Sequence, residues 1–224
     1  SGVLIDCGIS CRQIFARLQA LGFPNPTIEA VLITHEHTDH IAACRVVENR
    51  LNKSQSTAAI FVMTAGTATG FNPKLLPTRV KTIRAGHSFR IGQWLIEPYS
   101  VPHDTRDPVA YVVERDGVRV GTISDLGRST RLVERQLASM DAALIEFNHD
   151  TEMLLNGDYP WRLKQRISGP HGHLSNEQAA NLLSRGASNR LSHVLLGHIS
   201  EENNLAQLVF DSAQAAVERS AYPD

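Results

Sequence analysis

The densest chemistry in this 224-residue chain lies in six consecutive residues, His35-Glu36-His37-Thr38-Asp39-His40. Imidazoles at alternate positions of a loop can face one metal ion, while Asp39 and His40, opening the helix that follows, can face a second. In a chain with ten histidines, this His-x-His-x-Asp-His pattern arises by chance about once in a thousand such sequences. The same kind of side chain recurs elsewhere, always at one kind of place. Leu4-Ile5-Asp6, Leu32-Ile33-Thr34-His35, Val101-Pro102-His103, Ile123-Ser124-Asp125 and Leu196-Gly197-His198 are apolar runs that each end in a metal-capable residue. Strand ends along one sheet edge converge in space, and the ligands of α/β proteins gather there. Imidazole and carboxylate without thiolate suit Zn²⁺, with Mn²⁺ the competitor. Cys7 and Cys44 do not end strands and are set aside as ligands. Two ions about 3.5–4 Å apart would lower the pKa of a shared water and clamp the attacking and leaving oxygens, which is the chemistry of hydrolysis.

The elements needed to position these residues are legible in the pattern. Val3–Ile5 reads as a strand, and Ser10 caps a helix whose Ile14, Leu18 and Leu21 share a face and which ends at Gly22. Ala30–Thr34 is a continuous apolar run, the signature of a strand buried on both faces. A helix is predicted over 39–51, a strand over 58–63, then a Thr- and Gly-rich loop. Strands are predicted over 79–84, 89–101, 109–114 and 118–124, the last two joined by Asp116-Gly117, a strong hairpin signal. Helices over 129–140, 175–187 and 204–219 and strands over 142–147 and 193–197 complete the reading. Helices alternating with strands around a central meander indicate an α/β sandwich in a single domain, 1–224.

Composition narrows the function. With 22 Lys+Arg against 23 Asp+Glu the net charge is −1, which excludes a globally basic nucleic-acid coat but not a local basic groove. The longest uncharged stretch, Ser54–Pro73, is apolar only over Ala58–Met63, too short for a membrane span. The odd number of cysteines, none at two-residue spacing, reads as reduced thiols in a cytoplasmic protein. No secretory signal opens the residues given, and their start at Ser1 without Met leads us to expect a natural start further upstream.

A second constellation follows Glu146. It runs through Asn148-His149-Asp150, Tyr159-Pro160-Trp161-Arg162-Leu163-Lys164-Gln165-Arg166 and Gly169-Pro170-His171-Gly172-His173-Leu174-Ser175. Two histidines on a Gly-rich loop before a helix N-terminus suit a phosphate, and an imidazolium can protonate a leaving oxygen. Arg162, Lys164 and Arg166 fit either a solvated face or, with two aromatics beside them, a groove for a single strand; His149 reads as a core histidine or a site residue, and His171 as a weaker site candidate than His173. Binding through such cations weakens steeply with salt. His87 and His193 read as structural or solvent-facing.

These residues resemble the metallo-β-lactamase superfamily. Its HxHxDH motif is matched by His35, His37, Asp39 and His40, and its remaining motifs by Asp6, His103, Asp125 and His198, in the expected order over nearly the whole chain. The likeness implies a four-layer αββα sandwich. It further implies that His35, His37 and His103 hold one divalent ion, that Asp39, His40 and His198 hold the other, and that Asp125 bridges them. Asp6 would orient the His loop instead of ligating. Iron is disfavoured, because the diiron branch carries Glu where His37 stands. Asn-His-Asp, Tyr-Pro-Trp, Leu-Lys-Gln-Arg, Gly-His-Leu-Ser-Asn and the terminal Leu196–Asn204 are similar to the YycJ-like (WalJ-like) branch. Such a branch implies hydrolysis of phosphodiesters by metal-bound hydroxide, with DNA as substrate and 5′-directed exonuclease action. Asp39 would orient the water and His173 contact phosphate. The alternative is a hydrolase of a cyclic phosphodiester, lactone or thioester on the same site, or a non-catalytic protein keeping metals for stability. Typical members open with one or two strands ahead of the position of Ser1, so the first strands are expected to be missing from this sequence. Only 72 residues separate Asp125 from His198, too few for the inserted domain of the β-CASP nucleases.

Overall fold

The computed structural model describes residues 1–220 and divides into two compact units, one of residues 1–100 and 105–111, the other of residues 101–104 and from 112 onward. The first holds a four-stranded parallel sheet in the order β1-β2-β3-β4, made by β1 (Gly2–Ile5), β2 (Ile28–Leu32), β3 (Ile60–Thr64) and β4 (Val80–Ile83). β2 and β3 are buried almost throughout, as expected of parallel strands covered on both faces. Helix α1 (Cys11–Ala20) starts with a capping box between Ser10 and Gln13 and buries Cys11, Ile14 and Phe15. It packs into a core with Val31, Ile33, Val47, Leu51, Phe61 and Met63.

The helix expected over 39–51 is two helices, α2 (Thr38–Ile41) and α3 (Cys44–Ser54). The break has a physical cause. The chain leaving β1 docks onto the junction, where Cys7 N–H donates to the His40 carbonyl and Ala43 N–H to the Cys7 carbonyl, both at 2.9 Å. A Cβ on Gly8 would lie 1.3 Å from the Asp39 carbonyl oxygen, so only glycine allows this approach. The Thr- and Gly-rich loop is a short helix, α4 (Ala65–Gly70), started by Thr64, whose hydroxyl accepts the Thr67 N–H. The stretch 89–101 turns at Gly92 into an antiparallel pair, β5 (Phe89–Ile91) and β6 (Trp94–Ser100).

The boundary between units falls inside β7 (Val109–Arg115), which pairs antiparallel with β8 (Val118–Ile123). As predicted, the turn is Asp116-Gly117, with φ of 53° and 81°. β8, β9 (Ala142–Glu146) and β10 (His193–Gly197) run parallel. They continue a six-stranded sheet ordered β10-β9-β8-β7-β6-β5. The second unit also holds α5 (Arg131–Leu137), α6 (Thr151–Asn156), α7 (Trp161–Ile167), α8 (Asn176–Gly186) and α9 (Ala206–Glu218). α6 and α7 occupy a stretch the sequence reading left without helices. Among the described residues no helix is long and apolar enough to cross a membrane.

The three cysteines are free and buried, with the Cys7 and Cys44 sulfurs 3.1 Å apart. The neighbouring Cys7 thiol, together with burial, pushes the Cys44 thiol well up. Another buried group ties α3 to the entry of β4. The Glu48 carboxylate accepts the Thr78 and Arg79 amides at 2.8 and 3.1 Å and the Thr78 hydroxyl at 2.6 Å. Burial alone would raise its pKa, but these donors and Arg45 hold it below the ordinary carboxylate value. A group depressed in the folded state stabilises fully above its unfolded pKa and loses that effect as pH falls through its folded pKa. Glu48→Ala is therefore expected to cost on the order of 2 kcal/mol at pH 7. The difference from the parent in urea unfolding should shrink as the pH falls below about 4. A pH-independent difference would contradict this account.

Candidate metal centre

In the first unit the His loop hangs from Asp6. Its carboxylate accepts the Thr34 N–H and the Thr34 hydroxyl, both at 2.8 Å, and lies 2.8 Å from His40 Nδ1. Because a carboxylate can only accept, His40 donates through Nδ1, so Nε2 carries the lone pair that could ligate a metal. The Thr34 hydroxyl, having donated to Asp6, can accept from His35 Nδ1 at 3.0 Å, which leaves His35 Nε2 as a lone pair as well. That atom lies 3.1 Å from His37 Nδ1. Two ligand atoms held tetrahedrally at about 2.1 Å by one ion would be separated by about 3.4 Å, so the pair is close to ligating geometry. His35 and His40 are buried, with ring centroids 4.1 Å apart. Asp39 is exposed, 3.5 Å from His40 Nε2.

In the second unit the organiser is Glu146, the last residue of β9 and fully buried. Its Oε1 lies 2.7 Å from His173 Nδ1 and 2.9 Å from His198 Nδ1, and its Oε2 accepts the Leu126 N–H at 3.2 Å. Burial would raise the pKa of this carboxyl, but the hydrogen bonds and charges of the two imidazoles keep it below the ordinary range. Both rings thus have Nδ1 protonated and Nε2 directed elsewhere. His198 Nε2 is 3.4 Å from Asp125 Oδ1, and His103 Nε2 is 3.8 Å from the same oxygen. His103 Nδ1 is in turn 3.2 Å from the Gly172 carbonyl. The donor atoms of His103, Asp125 and His173 all lie within 4.8 Å of one another, as do those of Glu146, His173 and His198. Oriented imidazoles, each held at Nδ1 by an oxygen, with carboxylates between them, form a donor set that fits divalent ions.

Three of the strand-end residues carry a further mark. Asp6, Asp125 and His198 have φ of 59°, 57° and 54°, the left-handed region that side chains with a Cβ rarely adopt. Asp116, in the hairpin turn, is the other described non-glycine residue with positive φ. Strained backbone concentrated where ligand-capable side chains leave a sheet is characteristic of functional sites.

The second constellation separates into parts. His149 is buried, with Nδ1 lacking a hydrogen-bond partner among the described residues and its pKa pulled down by burial. His171 is exposed beside His173. The alternation of Arg162, Lys164 and Arg166 would put all three on one side of a strand, but the segment is a helix. There, residues two apart point about 200° from each other. Arg162 and Arg166 are exposed, whereas Lys164 is buried and donates Nζ–H bonds to the Leu155 and Gly157 carbonyls at 2.7 and 2.6 Å. Its ammonium closes the end of α6 and is not available to a phosphate. Arg166 Nε donates to Asp104 at 2.5 Å. His87 and His193 are exposed, as read from the sequence. The sequence reading passed over two organising groups, Glu146 and the Thr34 hydroxyl. Glu146 ends β9, but the strand is expected from the sequence to run to 147, so the strand-end rule that singles out Asp125 and His198 passes it by one residue.

Residues 2–199 match the family model of the β-lactamase superfamily domain, and the chain belongs to that superfamily of metal-dependent hydrolases, with the metallo-β-lactamase fold. Within it, the chain is 33% identical over 210 residues to exodeoxyribonuclease WalJ of Streptococcus pneumoniae serotype 2 strain D39, covering 92% of this chain and 76% of that protein. It is 27% identical to exodeoxyribonuclease YycJ of Bacillus anthracis, across 98% of this chain and 82% of that protein. The solved structure of the metallo-β-lactamase fold protein YhfI from Bacillus subtilis superposes with a TM-score of 0.70 at 14% identity, covering 96% of this chain and 80% of that one, a likeness of fold alone.

A Glu146→Gln variant tests the organiser. The amide NH2 can only donate, so it must face either the Leu126 N–H or the two imidazole Nδ1–H groups, and the rings also lose the negative charge they are held by. Affinity for Zn²⁺ or Mn²⁺, measured by calorimetry, is expected to fall about 10- to 100-fold while the far-ultraviolet circular dichroism stays unchanged. Unaltered metal affinity in a folded variant would show that Glu146 does not set these rings.

Proposed function

We propose that this chain is a metal-dependent nuclease, and more finely a 5′-directed exodeoxyribonuclease. The observation that carries the reading is the fixed ring orientation. His35, His40, His103 and His198 each have Nδ1 held by an oxygen, so that Nε2 is left as the ligating atom. In this reading His35, His37, Asp39 and His40 of the first unit and His103, Asp125 and His198 of the second would supply the ligands for divalent ions. Zn²⁺ suits the donor set best, with Mn²⁺ next. The names of the relatives from Streptococcus and Bacillus supply the substrate class.

When bound, such ions acidify water at neutral pH and neutralise charge on a phosphodiester. The chain's own residues supply the rest. Glu146 fixes the His173 ring by Nδ1, so the opposite nitrogen can meet a phosphate oxygen or the departing one. Asp39, exposed beside His40, can orient the attacking water. Asp6 and Thr34 keep the His loop in place before any ion arrives, which lowers the ordering cost of binding.

The test is to load the purified protein with Zn²⁺ or Mn²⁺ and assay 5′-phosphorylated single- and double-stranded DNA beside bis(p-nitrophenyl) phosphate. Metal-dependent release of nucleotides from 5′ ends, abolished by chelator, is expected. Cleavage of the small ester with DNA left intact would instead favour a small-molecule hydrolase. His35→Ala should lose bound metal, by elemental analysis, together with at least about 100-fold in activity; full hydrolysis by a metal-free variant would sink the scheme.

A further inference from the structure

Helix α7 presents a surface that the metal centre does not account for. Trp161 is 63% exposed at its start, and Arg162, Gln165 and Arg166 are exposed with it, while Lys164 anchors the opposite side by its two bonds to carbonyls. An indole left so open on a well-anchored helix gains nothing for the fold. The helix is also joined to candidate ligands in its own unit. Arg166 holds one oxygen of Asp104, and the other oxygen of Asp104 lies 3.7 Å from His103 Nε2. At the helix end the Ile167 carbonyl accepts the His173 N–H at 2.8 Å. The exposed aromatic, two guanidinium groups and His103 thus follow one another along a short path, since seven helical residues span only about 10 Å. Arg162 makes no hydrogen bond or ion pair among the described residues, so its charge faces solvent uncompensated.

An aromatic face beside an unneutralised guanidinium group complements an unpaired nucleobase followed by its phosphate, because every base offers a π-face and every linkage a negative charge. We propose that the exposed face of α7 is the platform for a single-stranded nucleic-acid end, with Trp161 stacking on a base and Arg162 contacting the adjoining phosphate. This rests on the nuclease reading above. It adds a preference that the metal ligands alone would not impose: a frayed or single-stranded end binds better than a blunt duplex, whose terminal bases are already stacked and paired.

The chain has two tryptophans, Trp94 and Trp161, which permits a direct readout. Metal-loaded protein is titrated with a single-stranded, 5′-phosphorylated oligonucleotide carrying phosphorothioate linkages, and tryptophan fluorescence is followed. Quenching is expected in the parent and should be lost in Trp161→Phe, which keeps a smaller ring and leaves Trp94 as the control fluorophore. In Trp161→Ala the ratio of single-stranded DNA cleavage to bis(p-nitrophenyl) phosphate hydrolysis should fall about tenfold. Arg162→Glu should weaken oligonucleotide binding and flatten its salt dependence. Quenching that persists in Trp161→Phe, or an unchanged ratio in a variant that still degrades DNA, overturns the platform and leaves the nuclease reading standing. A parent protein that hydrolyses the small ester but neither binds nor cleaves DNA removes both.

Discussion

A carboxylate sealed from water costs several kcal/mol unless donors surround it, and the second unit is arranged around one such group. Glu146 receives the His173 and His198 imidazoles on one oxygen and the Leu126 amide on the other. Three segments distant in sequence are therefore tied to the end of β9: the turn after Asp125, the Gly-rich loop before α8 and the exit of β10. None can shift without leaving a buried charge undersupplied with donors. The same contacts that make the burial tolerable also dictate the tautomers of two histidines, so folding and ligand preparation are here a single event.

The first unit reaches a comparable result with a more accessible acid. Asp6 accepts from the backbone and hydroxyl of Thr34 and from His40, and Thr34 passes the constraint on to His35. Neither carboxylate has to touch an ion to decide how ions are held. Each acts one atom further out, by fixing which imidazole nitrogen keeps a proton. Cation choice at such a site follows from donor type and spacing more than from net charge, so a net charge of −1 does not stand against it.

Much of this was legible in the residues. Apolar runs ending in Asp or His marked the sheet edge because burial of a parallel strand demands continuous apolar sequence, and a polar residue then marks its end. The Asp116-Gly117 turn and the Ser10 cap were equally explicit. Three things were not. The break between α2 and α3 depends on Gly8 meeting Asp39, a contact between residues 31 apart that leaves no trace in either segment's periodicity. The helix α7 was concealed by a basic alternation that looks like a strand, and only its true period shows Lys164 turned inward. Glu146 was visible but its strand was read for packing alone, because a fully buried acid is intelligible only once its partners are in place.

The left-handed turns at Asp6, Asp125 and His198 carry an implication for how such a protein changes over time. Glycine would occupy those conformations at lower conformational cost, by roughly a kcal/mol at each. At Asp6 and His198 the hydrogen bonds to Thr34, His40 and Glu146 outweigh that relief, so stability and ligand placement are selected together there. A screen that scores only folded protein would therefore also retain these two side chains.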